Sequence, residues 1–175
     1  MNPIPESEKE LKCDTLLLSL GLIPENELSK GVGIELDNVT GGPIVDQDYM
    51  TSIPGIFACG NCLQVYDTVD ALAIGAKEAG RNSVKWKLKS KEIKIKPGKN
   101  VNYILPQKIT KSGTIRLTFR VKEPMENVTL KINKGINELF NKKLRFVNPA
   151  NVVEVDFKIS DEMLKTNDLE VSING

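Results

Sequence analysis

The 175-residue sequence is 40% apolar and 27% charged with a formal net charge of +1, an ordinary globular balance with length for one or two domains. No apolar run reaches the ~18 residues of a membrane-crossing helix, and the N-terminal stretch has neither the basic nor the apolar region of a secretory signal. Three cysteines without an export signal favour free thiols and a cytoplasmic location, and the absence of histidine removes the commonest general base and metal ligand.

Charge divides the chain. Residues 1–90 hold 8 Lys/Arg and 13 Asp/Glu, net −5, and residues 91–175 hold 16 and 10, net +6. That asymmetry predicts two units. The positive charges of the second unit are scattered, so a solvated sheet face is expected there and nucleic acid is not an expected partner.

Residues 1–12 are polar and read as a loose arm. The apolar run Thr15–Leu20, bounded by Gly21, predicts a buried strand of a parallel sheet. Glu25–Leu28 suggests a helical turn. Gly33–Leu36 and Pro43–Asp46, separated by Asp37-Asn38 and Gly41-Gly42, predict a hairpin. Pro54-Gly55 feeds a short apolar run, Ile56-Phe57-Ala58, which stops at Gly60-Asn61. A strand leading through a small-residue turn to a helix start is a common way to offer backbone N–H groups to a phosphate. The helix follows, from Thr68 to about Lys89. Asp67 or Thr68 can cap it, and Asp70 places negative charge in its first turn. Val69, Leu72, Ala73, Ala76, Ala79, Gly80 and Val84 recur at helical spacing and predict its packing face.

A charged linker with Pro97-Gly98 is expected over Ser90–Lys99. Beyond it the period becomes two. Val101–Leu105, Ile115–Val121, Val128–Ile132, Val153–Ile159 and Leu169–Ile173 read as strands, separated by turn signals such as Lys134-Gly135 and Thr166-Asn167-Asp168. About six or seven such strands suggest an all-β antiparallel sandwich, immunoglobulin-like in kind. The domain expectation is therefore 1–90 and 91–175.

Thr51-x-x-Pro54-Gly55-Ile56-Phe57-Ala58-Cys59-Gly60-Asn61 resembles the second flavin-binding fingerprint of the pyridine nucleotide-disulfide oxidoreductases, including their thioredoxin-reductase-like branch. Cys13-Asp14 through Gly21-Leu22-Ile23-Pro24 resembles the family's strand and Gly-x-x-Pro crossover, and the helix ending in Ala79-Gly80-Arg81 fits as well. The resemblance covers roughly residues 11–85. It implies a segment of a two-dinucleotide-binding α/β flavoprotein, strands plus one long helix. It also implies FAD as cofactor and NAD(P) as hydride partner of a parent enzyme. Gly60 would let the backbone approach the ribityl-pyrophosphate. Asn61 stands where the family usually has aspartate on a ribityl hydroxyl, a departure that keeps an acceptor and drops a charge. Thr68, Val69 and Asp70 would bring the helix start to the pyrimidine end of the flavin, where its dipole favours the reduced, negatively charged form.

The family's Gly-x-Gly-x-x-Gly phosphate motif is absent from this sequence. The resemblance therefore implies the C-terminal part of such an enzyme, with N-terminal FAD/NAD(P)-binding segments as its partner, and little or no FAD retention or turnover by this chain alone. The alternative is a non-enzymatic remnant acting through its β domain, whose roles could include dimerisation or docking an electron-transfer protein.

Cys59-Gly-Asn-Cys62 admits a redox dithiol, a metal half-site or buried filler. A zinc site wants four ligands and only Cys13 remains. A redox pair wants a helix N-terminus, whereas Cys59 ends a strand in a slot the family fills with Ala or Thr, so filler is expected. Tyr66 and Asp67 would line the flavin edge or the substrate side, with helix capping the role expected of Asp67. Trp86 is expected to pack on the second domain. The β half carries no paired carboxylates and no nucleophile motif, and no catalytic residue is assigned.

Overall fold

The computed structural model describes residues 4–19, 21–88, 91–165 and 168–175. The chain joins an irregular, partly helical first half to a β-rich second half. The first half contains α1 (Glu27–Gly31), a 3-10 turn (Gly60–Cys62) and α2 (Val69–Lys85). The second contains β1 (Ile93–Pro97), β2 (Val101–Leu105), β3 (Lys108–Ile109), β4 (Gly113–Val121), β5 (Met125–Lys134), β6 (Asn137–Val147), β7 (Val153–Ile159) and β8 (Leu169–Asn174).

The strand predicted over Thr15–Leu20 does not form. Residues 15–19 have no regular structure, and Leu16, Leu17 and Leu18 are exposed by 72%, 90% and 68%. Leu20 lies outside the described residues. A strand of a parallel sheet needs pairing along its edges and cover on its faces, and the described residues pair nothing with this segment.

The predicted helical turn forms as α1, slightly later than expected. The hairpin is minimal but present: Leu36 bridges Pro43, Asp37 N donates to Gly42 O at 2.8 Å, and Ile44 N donates to Glu35 O at 2.9 Å. Gly42 is required by close approach, since a Cβ there would stand 2.0 Å from the Leu63 carbonyl oxygen. Asn26 is buried between the two segments. Its side-chain amide donates to Gly41 O at 2.9 Å and to Cys62 O at 2.7 Å, while its own oxygen accepts from the Ser29 hydroxyl.

Helix α2 starts where its cap dictates, with Thr68 Oγ1 accepting from Ala71 N at 3.3 Å. It ends at Lys85, short of the predicted Lys89, because Trp86 turns extended at φ −63°, ψ 148°; Lys89 and Ser90 lie outside the described residues. The predicted packing face is corrected in part, since Ala79 of that face is buried. The helix buries Gly75 and Ala79, while Val69 and Val84 are exposed by 79% and 83%. The smallest residues allow close approach: a Cβ at Gly75 would come 3.1 Å from the Tyr49 hydroxyl and 3.3 Å from that of Tyr66. Trp86 is also corrected, since its ring lies over Gly55 of the Pro54-Gly55 turn, within the first half.

The second half forms a five-stranded sheet ordered β3-β1-β8-β5-β6 and a three-stranded sheet ordered β2-β4-β7. Ile115, Leu117, Phe119 and Val121 of β4 meet Val128, Leu130 and Ile132 of β5 in one buried cluster with Val155, Phe157, Val171 and Ile173. Two expectations change. The predicted linker contains β1, in which buried Ile93 and Ile95 alternate with exposed Lys94 and Lys96. Pairing is also not wholly antiparallel: β1 runs parallel to β8, with Ile95 opposite Leu169. The turn at Thr166-Asn167 lies outside the described residues, apart from Asp168.

A second cluster joins the halves. Val45, Ala58 and Leu63 pack with Tyr103 and Leu105 of β2. Polar ties reinforce it: Gln107 N donates to Val45 O, the Gln107 side-chain oxygen accepts from Val45 N at 3.1 Å, and Asp46 Oδ2 accepts from the Thr110 hydroxyl. Among the described residues no helix is long and apolar enough to cross a membrane.

Candidate functional site

The run Ile56–Ala58 is held against Met50 by a single bridge, Met50 to Phe57, with Thr51 N donating to Ile56 O and Ala58 N to Tyr49 O. Cys59 is extended and Gly60 then turns to φ +76°, a region where a side chain would be strained. The chain makes one 3-10 turn, closed by Leu63 N donating to Gly60 O at 3.0 Å. Leu63 and Gln64 are buried, and they anchor the turn while Asn61 stays exposed. Asn61 Oδ1 accepts from Tyr66 N at 3.3 Å, folding the loop back on itself.

The structure thus places the predicted residues Gly60, Asn61, Thr68, Val69 and Asp70 on one short segment, the turn and the helix start it leads to. The N–H groups of a first helical turn have no carbonyl within the helix to bond. Thr68 satisfies that of Ala71, and Asp70 adds the negative charge that a helix N-terminus favours. A Cβ built on Gly60 would find nothing nearer than Leu72 Cγ at 4.0 Å, so the backbone at the turn is open to close approach.

The cysteines are not arranged as a reactive pair. Cys62 Sγ donates to the Cys59 carbonyl at 3.1 Å, and burial pushes the Cys62 thiol up. A nucleophilic thiol needs the opposite shift. Cys59, Cys62 and the exposed Cys13 are all free thiols.

Asp67 is corrected from its expected capping role. Its Oδ1 accepts from the Arg120 guanidinium of β4 and its Oδ2 from Val152 N at 2.7 Å, which leaves the cap to Thr68. Burial opposes the charge on Arg120, and the bonds to Asp67 and Tyr103 outweigh it, so the guanidinium is held more firmly protonated. Tyr66 is half-buried, its phenol pushed up chiefly by burial; the same holds for Tyr49. Both stay neutral donors. They line a cleft of about 650 Å³ between α2 and the face of the three-stranded sheet carrying Arg116 and Asp156.

Sequence reasoning missed Asn26 and Arg120. Asn26 reads as one more turn residue, and Arg120 as one of several outward charges on an alternating strand. Their partners lie as far as 36 and 55 residues away in sequence, beyond any local pattern.

The sequence model described as pyridine nucleotide-disulphide oxidoreductase matches residues 2–80. A ferredoxin--NADP reductase of Leuconostoc mesenteroides is 36% identical over 70 residues, covering 40% of this chain and 21% of that protein. A rubredoxin-NAD(+) reductase of Ectopseudomonas oleovorans is 37% identical over 57 residues, 33% of this chain and 14% of that protein. An NADH glutamate synthase of Schizosaccharomyces pombe is 33% identical over 63 residues, 35% of this chain and 3% of that protein. The chain therefore spans about a fifth or less of the curated relatives it matches. No solved structure matches.

Proposed function

We propose, from the premise that residues 2–80 are a segment of the pyridine nucleotide-disulphide oxidoreductase family, that this chain supplies the flavin-side contacts of an FAD-dependent NAD(P)H oxidoreductase. The observation that carries the reading is the Gly60 turn feeding a Thr68-capped helix within the matched stretch. A flavin held there would supply the hydride and electron chemistry between nicotinamide and an acceptor. The residues of this chain bind and orient. The open backbone at Gly60 would hold ribityl and phosphate oxygens, and Asn61 would bond a ribityl hydroxyl. Thr68 fixes the helix start, from which the N–H groups of Val69 and Asp70 would hold the pyrimidine end. The fit is to half a site, because the sequence contains no Gly-x-Gly-x-x-Gly for the adenosine side.

The partner in this reading is a set of dinucleotide-binding segments that cover the exposed apolar residues of the first half. Leu16–Leu18, Val69 and Val84 support it, because apolar surface of that extent is expected to find cover. The two sheets of residues 91–175 serve as the faces of a sandwich appended to the flavin half. Docking an electron-transfer protein or a second copy is the role this appendage offers.

Titration with FMN, which carries flavin, ribityl and phosphate without adenosine, tests the reading. Backbone amide shifts at Gly60, Asn61, Val69 and Asp70 are expected, with weak saturation, and AMP should leave them in place. Equal shifts with AMP, or none with FMN at any soluble concentration, would sink it.

A further inference from the structure

We infer that Arg120, on β4, is a positioning residue for the segment 61–70: the β half grips this loop from behind and sets where the α2 start points. That the loop faces a flavin rests on the reading above; the grip itself does not.

Arg120 has five N–H donors and the structure gives it five acceptors. Nε donates to the Tyr103 hydroxyl at 3.1 Å, and Nη1 to Pro149 O at 3.2 Å and to Ala150 O. Nη2 donates to Val65 O at 3.3 Å and to Asp67 Oδ1. The Arg120 side chain is only 16% exposed, and its bonds to Tyr103 and Val65 are part-buried. Two acceptors, Val65 and Asp67, belong to the loop; the other three belong to the β half. Asp67 returns the contact by accepting from Val152 N. One turn along, the Gln64 side-chain amide donates to the Thr118 hydroxyl, two residues before Arg120 on the same strand. The loop is thus fixed to β4 at two points, Gln64 and Asp67, and Asp67 lies one residue before the Thr68 cap.

The loop needs such a hold. Between Leu63 and Thr68 it pairs with no strand of its own half, so its path follows from what it is tied to. A guanidinium suits the task because its planar fork reaches several acceptors in fixed directions. Lysine offers a point charge and could keep Asp67 while losing the carbonyls.

A plain interface bond would make a different prediction from a positioning one. Loss of a plain bond loosens every contact between the halves together, including Val45 to Gln107. Loss of a positioning bond loosens the loop and the helix start and leaves Val45 to Gln107 as it was. Amide hydrogen exchange on the full chain separates the two. In Arg120→Ala, the amides of Ala71, Leu72 and Val152 are expected to exchange about tenfold faster or more, with Gln107 and the core amides of Leu117 and Leu130 unchanged. Arg120→Lys should recover only part of the protection. Asp67→Asn, which preserves shape, should speed the same three amides, and combining it with Arg120→Ala should add nothing. It also carries the test if Arg120→Ala does not fold. A uniform rise that includes Gln107, or no rise at Ala71 and Val152, overturns the inference. The FMN shifts are a separate readout: exchange changes without FMN shifts keep the grip and remove the flavin, and the reverse result does the opposite.

Discussion

Between residues 93 and 174 the backbone pairs strand to strand over a cluster in which Phe119, Leu130 and Val171 are fully buried. Between residues 4 and 88 it makes one long helix, one short one and single bridges, and several of its largest apolar side chains face solvent. The β half carries its own core. The other half is held by individual polar ties (Asn26, Asp46, Asp67) and borrows Tyr103 and Leu105 to complete its small cluster. A region built on many equivalent apolar contacts and one built on a few singular bonds respond differently to damage. The family match falls on the second kind, where ligand-facing turns are expected to sit because such turns cannot be buried in a ladder.

The largest expected effect breaks the self-sufficient side. Phe119→Ala should cost about 3–5 kcal/mol through lost burial and a residual cavity. Because the first half leans on β2, its helix should be lost in the same transition. Denaturation followed by far-ultraviolet circular dichroism and by Trp86, the sole tryptophan, checks this. A Trp86 transition that survives loss of the sheet signal would show that the first half does not depend on the second. An intermediate effect sharpens the other side. Asn26→Ala strands the Gly41 and Cys62 carbonyls and should cost about 1–3 kcal/mol. Faster exchange confined to residues 41–42 and 60–64, with the sheet unchanged, is the expected pattern; spread into β4 would contradict it.

The smallest effect is electrostatic. Asp168 bonds Lys96 Nζ at 2.6 Å and Lys94 N at 2.9 Å, and these hold its carboxyl below the usual range. A depressed carboxyl stabilises the fold above its unfolded value, ~3.9, and that contribution is lost as pH falls through the folded value. At 39% exposed the side chain is well screened, so the gain is small. Asp168→Asn should slightly lower stability near neutral pH and flatten the acid limb of the β half. An identical pH profile in the two proteins would remove the contribution.

The same contrast governs what could be read beforehand. Strands with strict alternation, such as Ile115–Val121 and Val153–Ile159, were legible because one face is buried and the other wet. β1 hid behind its lysines, and β6, exposed along most of its length, shows no apolar period. The run Thr15–Leu20 signals a strand through hydrophobicity alone, which says that cover is wanted but not whether the chain contains it. The helix start was legible through Thr68, yet its packing face was not. Periodicity weighs Val69 and Val84, whereas contact is made where Gly75 lets two tyrosines come close. The turn at Gly60 was legible as a conformational need. The ties that place it, from Asn26 and Arg120, were not, because each depends on carbonyls that only the folded chain brings near.

Strand β6 ends the larger sheet, and its outer edge has no neighbour among the described strands. An unpaired edge of 11 residues is a template for further strands from other molecules. Lys142, Lys143 and Arg145 crowd it with like charge, and at the opposite end of the sheet the two-residue β3 is covered by the first half through the bridge of Lys108 to Asp46. The positive balance of the second half, expected from the sequence as a solvated sheet face, thus finds a use in keeping copies of this sheet from growing into one another.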